Sequence, residues 1–128
     1  MCQKASGNLF AALASVAKSE IHWTRGSAAR WLSSANVERG FCGKCGTPLF
    51  YDDIGSGDIA ITIGSLDQPA KFKPVSHDGI EGRMPWFDEL NDVVDKGETA
   101  TVNQAEWAAA IKSSNNQHPD IDTDTWAK

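Results

Sequence analysis

A chain of 128 residues, 41% hydrophobic and 23% charged, has room for one domain with a core, and its composition excludes a disordered or fibrous protein. A formal net charge of -5 disfavours nucleic acid as a partner, because phosphate backbones are bound mainly by clustered Lys and Arg. Three cysteines form an odd set, which argues against a disulfide framework and raises metal or thiol chemistry instead.

The opening "MCQKASGNLF" lacks the charged, apolar, then small-residue order of a secretory signal, and no apolar run reaches the length of a membrane span. Both point to a cytoplasmic protein with no membrane partner. Residues 7 to 17, "GNLFAALASVA", fit a helix by alanine content and a buried strand by apolar run, and periodicity does not decide between them. In "IHWTRGSAARWLSS", tryptophans and β-branched residues alternate with polar ones around Gly26, predicting strands at Ile21 to Thr24 and Ala29 to Ser33. The runs "PLFYDD" and "DIAITIGSL", joined by the turn-rich "IGSG", predict an antiparallel hairpin. A further strand is predicted around Lys73 to Ser76, and "GIEGRMPWFDELNDVV" is expected to cover a sheet edge. Asn103 is placed to cap a short helix through "QAEWAAAIKSS", where Trp107, Ala110 and Ile111 share a face. The expected organisation is one mainly β domain over 1–114 and a polar tail over 115–128, with Trp126 able to dock against the body.

The chemistry concentrates in "RGFCGKCGTPLFYDD". Cys42 and Cys45, two residues apart in a turn eased by Gly43 and Gly46, can present two thiolates to one zinc ion. A redox pair of the thioredoxin type would open a helix, whereas Pro48 and a strand-like run follow here, so a zinc knuckle is favoured over a redox pair or plain thiols. Cys2 taken alone reads as a free thiol. His22, His77 and His118 are the only imidazoles, and each reads as a surface or hydrogen-bonded side chain before it reads as a ligand. Asp52 and Asp53 do not form a catalytic pair, because neighbours on a strand point to opposite faces. Trp23, Trp31 and Trp86 read as packing residues.

Taken in order, "MCQKASGNLFAALASV", "WLSS", "RGFCGKCGTPLFY", "IAITIGSLDQP", His77 and "PWF" with Pro85 and Trp86 resemble the glutathione-dependent formaldehyde-activating family over roughly residues 1 to 90. The resemblance implies an Mss4-like fold of antiparallel β sheets around a zinc knuckle, with a short C-terminal helix. It also implies a zinc-dependent carbon-sulfur lyase that joins glutathione to formaldehyde as S-hydroxymethylglutathione. In that comparison Cys2 corresponds to the third cysteine of a catalytic zinc cluster, and Cys42 with Cys45 to half of a separate structural zinc site.

The other cysteines of both sets would lie before Met1, so the domain is expected to be N-terminally incomplete, to bind zinc weakly and to catalyse little or nothing. Glutathione, with two carboxylates, calls for an Arg or Lys beside apolar walls, and Lys4 and Arg83 are the candidates by position. Partners implied are glutathione and formaldehyde or another small thiol adduct, and a homo-oligomer is expected if a sheet edge is left open. The competing expectation is a non-catalytic zinc-binding protein-interaction module of the same fold.

Overall fold

The computed structural model of the chain describes residues 1–102, 104–119 and 121. Its centre is one five-stranded antiparallel sheet, made of β1 (Leu13–Ala17), β2 (Ala29–Ser34), β3 (Val37–Phe41), β4 (Pro48–Asp53) and β5 (Asp58–Thr62), in the order β1-β5-β4-β3-β2. Strands β2 to β5 form a meander, and β1 closes the far side by pairing antiparallel to β5, with Ser15 opposite Ala60. A five-residue helix, α1 (Cys2–Ser6), precedes the sheet, and α2 (Thr99–Val102) and α3 (Ala105–Ser113) follow it. The fold is therefore mainly β with a short C-terminal helix.

The hairpin expected from "PLFYDD" and "DIAIT" is β4–β5, with Tyr51 opposite Ala60 and the turn held by Ile54 N–H to Asn36 O and Ser56 N–H to Asp53 O. The ambiguous stretch at 7 to 17 resolves into strand only from Leu13, because β5 offers it an open edge. Two predicted strands are corrected. Ile21 to Thr24 follows a 3-10 turn at Lys18–Glu20 and finds no ladder partner; its alternation reflects packing, with the Trp23 ring 6.2 Å from that of Phe50. Lys73 to Ser76 is irregular and exposed, and it pairs with neither outer strand of the sheet, β1 or β2. The segment at 79 to 94 forms 3-10 turns that pack on the N-terminal region instead of a strand edge, with Phe87 edge-on to Phe10 at 5.7 Å. The expected cap Asn103 and the expected docking residue Trp126 lie outside the described residues; Gln104, at φ 61, immediately precedes α3.

The core is thin: Val37, Phe50, Ile59 and Ile63 are the buried apolar side chains among the described residues. Cross-strand partners share a face, so the register sorts the sheet into two sides. One carries Arg30, Gly40, Phe50 and Ile61, and also Glu38, Asp52 and Ile59; the other carries Trp31, Arg39, Tyr51, Ala60 and Ser15. Glu38 and Asp52 stand directly opposite each other, a repulsive arrangement relieved by two cations: Arg30 pairs with Glu38, and the Lys18 ammonium lies 2.7 Å from Asp52 Oδ1. The same ammonium also donates to Asp53 O at 2.9 Å. The accessible surface of 10057 Å² exceeds the about 6,600 Å² typical of a compact monomer of this mass. Residues 67–83 are exposed throughout.

Candidate functional site

Helix α1 is short because Gly7 follows it in the left-handed region, at φ 62, turning the chain while its N–H and that of Asn8 satisfy Gln3 O. The Gln3 amide then donates to Leu9 O at 3.0 Å and Gly82 O at 2.8 Å, binding the helix to both the following loop and the later 3-10 turn. Cys2 is thereby held half-buried over the sheet, where Arg39 Nη2 donates to its Sγ at 3.3 Å. Arg39 is itself fixed: Nε donates to Ser33 Oγ at 3.2 Å, and the guanidinium lies 5.1 Å from the centre of the Tyr51 ring.

Beside this pair is a cleft of about 370 Å³, lined by Ala5 and Ser6 of α1, by Leu13, Trp31, Phe41 and Tyr51, and by Arg30 and Arg39 among others. Its volume falls in the range of small-molecule sites. Arg39 went unsingled as a site residue in the sequence because it sits in a short polar strand broken by Gly40; the signal available was the kind of residue called for, an arginine beside aromatic walls. Lys4 is exposed, and neither Lys4 nor Arg83 lines the cleft. Arg83 instead contacts His77 Nδ1 at 2.9 Å and Asp88 at 3.6 Å and lies over the Phe87 ring, with the His77 ring edge-on to Phe87.

The cysteine turn is closed by Cys42 N–H to Thr47 O at 2.9 Å and Gly46 N–H to Cys42 O at 2.8 Å, with Gly46 at φ 77, where a side chain would be strained. Cys45 is exposed, and its Sγ lies 3.1 Å from Thr47 Oγ1, whose single proton has both this sulfur and Gln117 Oε1, also at 3.1 Å, within reach. The Cys45 thiol is drawn below its ordinary value, chiefly by the Thr47 hydroxyl, then by the Thr47 backbone and the Cys42 side chain, against a small opposing effect of burial. The folded state thus favours the thiolate. That contribution to stability is present above the unfolded-state value and is lost as pH falls through the lower folded-state value. Thr47→Val is expected to move the alkylation profile of Cys45 to higher pH, slowing its reaction with iodoacetamide at neutral pH; an unmoved profile in peptide-resolved mass spectrometry would contradict this.

Among the described residues no group of three or more His, Cys, Asp or Glu side chains is arranged to hold a metal ion. Cys42 and Cys45 supply two donors of the four that a structural zinc takes, and Thr47, the polar group at Cys45, is not a customary zinc ligand. Cys2 does not join them, and His22 and His77 are exposed. His118, also exposed, lies against Arg25 and Pro119 O. The donor set of the described residues therefore does not fit a zinc ion. No helix among them is long and apolar enough to cross a membrane.

An antiparallel sheet with a two-thiol turn at one end, and a largely apolar cleft that Arg39 lines with Cys2 beside it, defines a small β protein with a candidate ligand site. The profile of the family described as glutathione-dependent formaldehyde-activating enzyme matches residues 1–80, more than half of the chain, and the chain belongs to that family. Neither a curated protein nor a solved structure matches it significantly.

Proposed function

We propose that the protein takes glutathione and formaldehyde, or their adduct, in the cleft beside Cys2 and acts as a carbon-sulfur lyase on S-hydroxymethylglutathione. The observation that carries this reading is the extent of the family match: residues 1–80 include α1, every residue lining the cleft and the whole cysteine turn. In the forward reaction the glutathione thiol gives up its proton and its sulfur attacks the carbonyl carbon; a carbon-sulfur bond forms, the carbonyl π pair moves to oxygen, and that oxygen takes up one proton in place of the one the thiol released. The reverse step expels the thiolate. Apolar walls at Leu13, Trp31 and Phe41 suit such a site because they limit water, and Arg39 supplies N–H donors where negative charge sits in ligand or oxyanion. The proposal rests on the cleft and not on a metal centre, and it places the protein in a reducing, cytoplasmic compartment where glutathione is held as the thiol.

A second reading, a non-catalytic protein-interaction module, draws on strand β2, an outer strand of the sheet on which Trp31 is 60% and Leu32 56% exposed. One experiment separates the two. Exchange between glutathione and S-hydroxymethylglutathione, followed by NMR magnetisation transfer, is expected to accelerate over the uncatalysed rate in proportion to protein concentration. No acceleration, together with no binding of S-methylglutathione, would leave only the interaction module.

A further inference from the structure

We propose that Arg39 is the anion anchor of the cleft, holding a carboxylate of a small sulfur-bearing ligand beside Cys2. The ligand's identity as glutathione rests on the preceding reading; the anchor itself rests on charge and geometry. The chain carries a net charge of -5, yet the charged residues lining the cleft among the described residues are two arginines, Arg30 and Arg39, with no Asp or Glu. An apolar cavity with one uncompensated guanidinium group in an acidic protein selects an anionic ligand.

The two arginines are not equivalent. Arg30 is ion-paired with Glu38 and its guanidinium lies 4.9 Å from the Phe50 ring centre, so its charge is already met. Among the described residues Arg39 makes no ion pair: its contacts there are the neutral Ser33 hydroxyl, the Cys2 sulfur and the Tyr51 ring. Its strand neighbour Glu38 and the facing Asp52 are turned to the opposite side of the sheet. A guanidinium has five N–H donors. Those contacts engage Nε and Nη2 and leave both N–H groups of Nη1 for a ligand. Three fixed contacts also remove most of the side chain's freedom before a ligand arrives, which favours planar recognition of a carboxylate. Since Cys2 Sγ lies 3.3 Å from Nη2, a carboxylate on Nη1 sets the ligand next to the thiol.

Calorimetric titration of the full chain, without formaldehyde, tests the anchor through S-methylglutathione and its dimethyl ester, and through N-acetyl-S-methylcysteine and its methyl ester. Each acid is expected to bind about tenfold or more tightly than its ester, the size of one charge-assisted hydrogen bond. Arg39→Met is expected to abolish the preference for the acid over the ester, and Arg39→Lys to recover part of it. Equal binding of S-methylglutathione and its ester to the unsubstituted protein, or an acid preference that survives Arg39→Met, overturns the anchor and leaves the glutathione reading standing. Binding of the cysteine derivative with the expected preference, but not of S-methylglutathione, overturns glutathione and keeps the anchor; no binding of any of the four overturns both. Should Arg39→Met fail to fold by circular dichroism, the acid-to-ester ratio of the unsubstituted protein and Arg39→Lys decide.

Discussion

Phe50→Ala is expected to destabilise the domain by about 3–5 kcal/mol, enough to unfold a protein of ordinary marginal stability. Phe50 is 3% exposed and is the largest of the four buried apolar side chains. Its ring is the common surface for Trp23 and for the Arg30 guanidinium, and it covers the backbone of Gly40. With so few buried neighbours, no second cluster can take up the loss, and the cavity would open directly beneath the cleft, which Phe50 also lines. The measurement is urea unfolding followed by far-ultraviolet circular dichroism and tryptophan fluorescence. A variant still folded, with stability reduced by less than about 1 kcal/mol, would show that the sheet does not depend on this ring.

Gly40→Ala is expected to cost about 3 kcal/mol by the opposite route, overpacking. A Cβ built on Gly40 would lie 2.0 Å from Phe50 Cε1 and 2.2 Å from Cζ, inside any tolerable contact, and the ring is too buried to swing aside. Gly40 and Phe50 are cross-strand partners, so the glycine is there to let the aromatic ring lie flat on the neighbouring strand. The cost belongs to the contact and not to the backbone. Gly40→Ala made in the Phe50→Ala background is therefore expected to cost far less than it does alone, with a coupling of at least about 1 kcal/mol. Additive effects would place the cost elsewhere, in the backbone of β3. Because Arg39 adjoins Gly40, a shift of β3 in the single variant is also expected to weaken binding of S-methylglutathione in the calorimetric titration.

The hairpin of β4 and β5 was legible because its signal is local: alternating apolar residues on either side of "IGSG" specify both the pairing and the turn. Strand β3 was not, because "VERGF" is short and holds two charges and a glycine; what makes it a strand is the presence of β2 and β4 on its two sides. The same reason explains the opposite error at Ile21 to Thr24, where β-forming residues have no partner strand and Trp23 is used for packing on Phe50. Helix α1 carried no recognisable apolar period over five residues; Gly7 and the reach of Gln3 to Gly82 hold it.

By itself the sequence determined the family, the mainly antiparallel β character and the turn that places Cys42 near Cys45, all of which depend on residues close together in the chain. It also determined the kind of group a carboxylate-bearing ligand would need. Which cationic side chain stands beside Cys2 was decided only by the tertiary structure. Lys4 adjoins the cysteine region in sequence, yet α1 leaves it in solvent, whereas Arg39, 37 positions from Cys2, is brought to its sulfur by the pairing of β3 with β4 and the seating of α1 over the sheet. Proximity in a β fold is set by strand register and by what packs across the sheet, and neither is written in the spacing of residues along one segment.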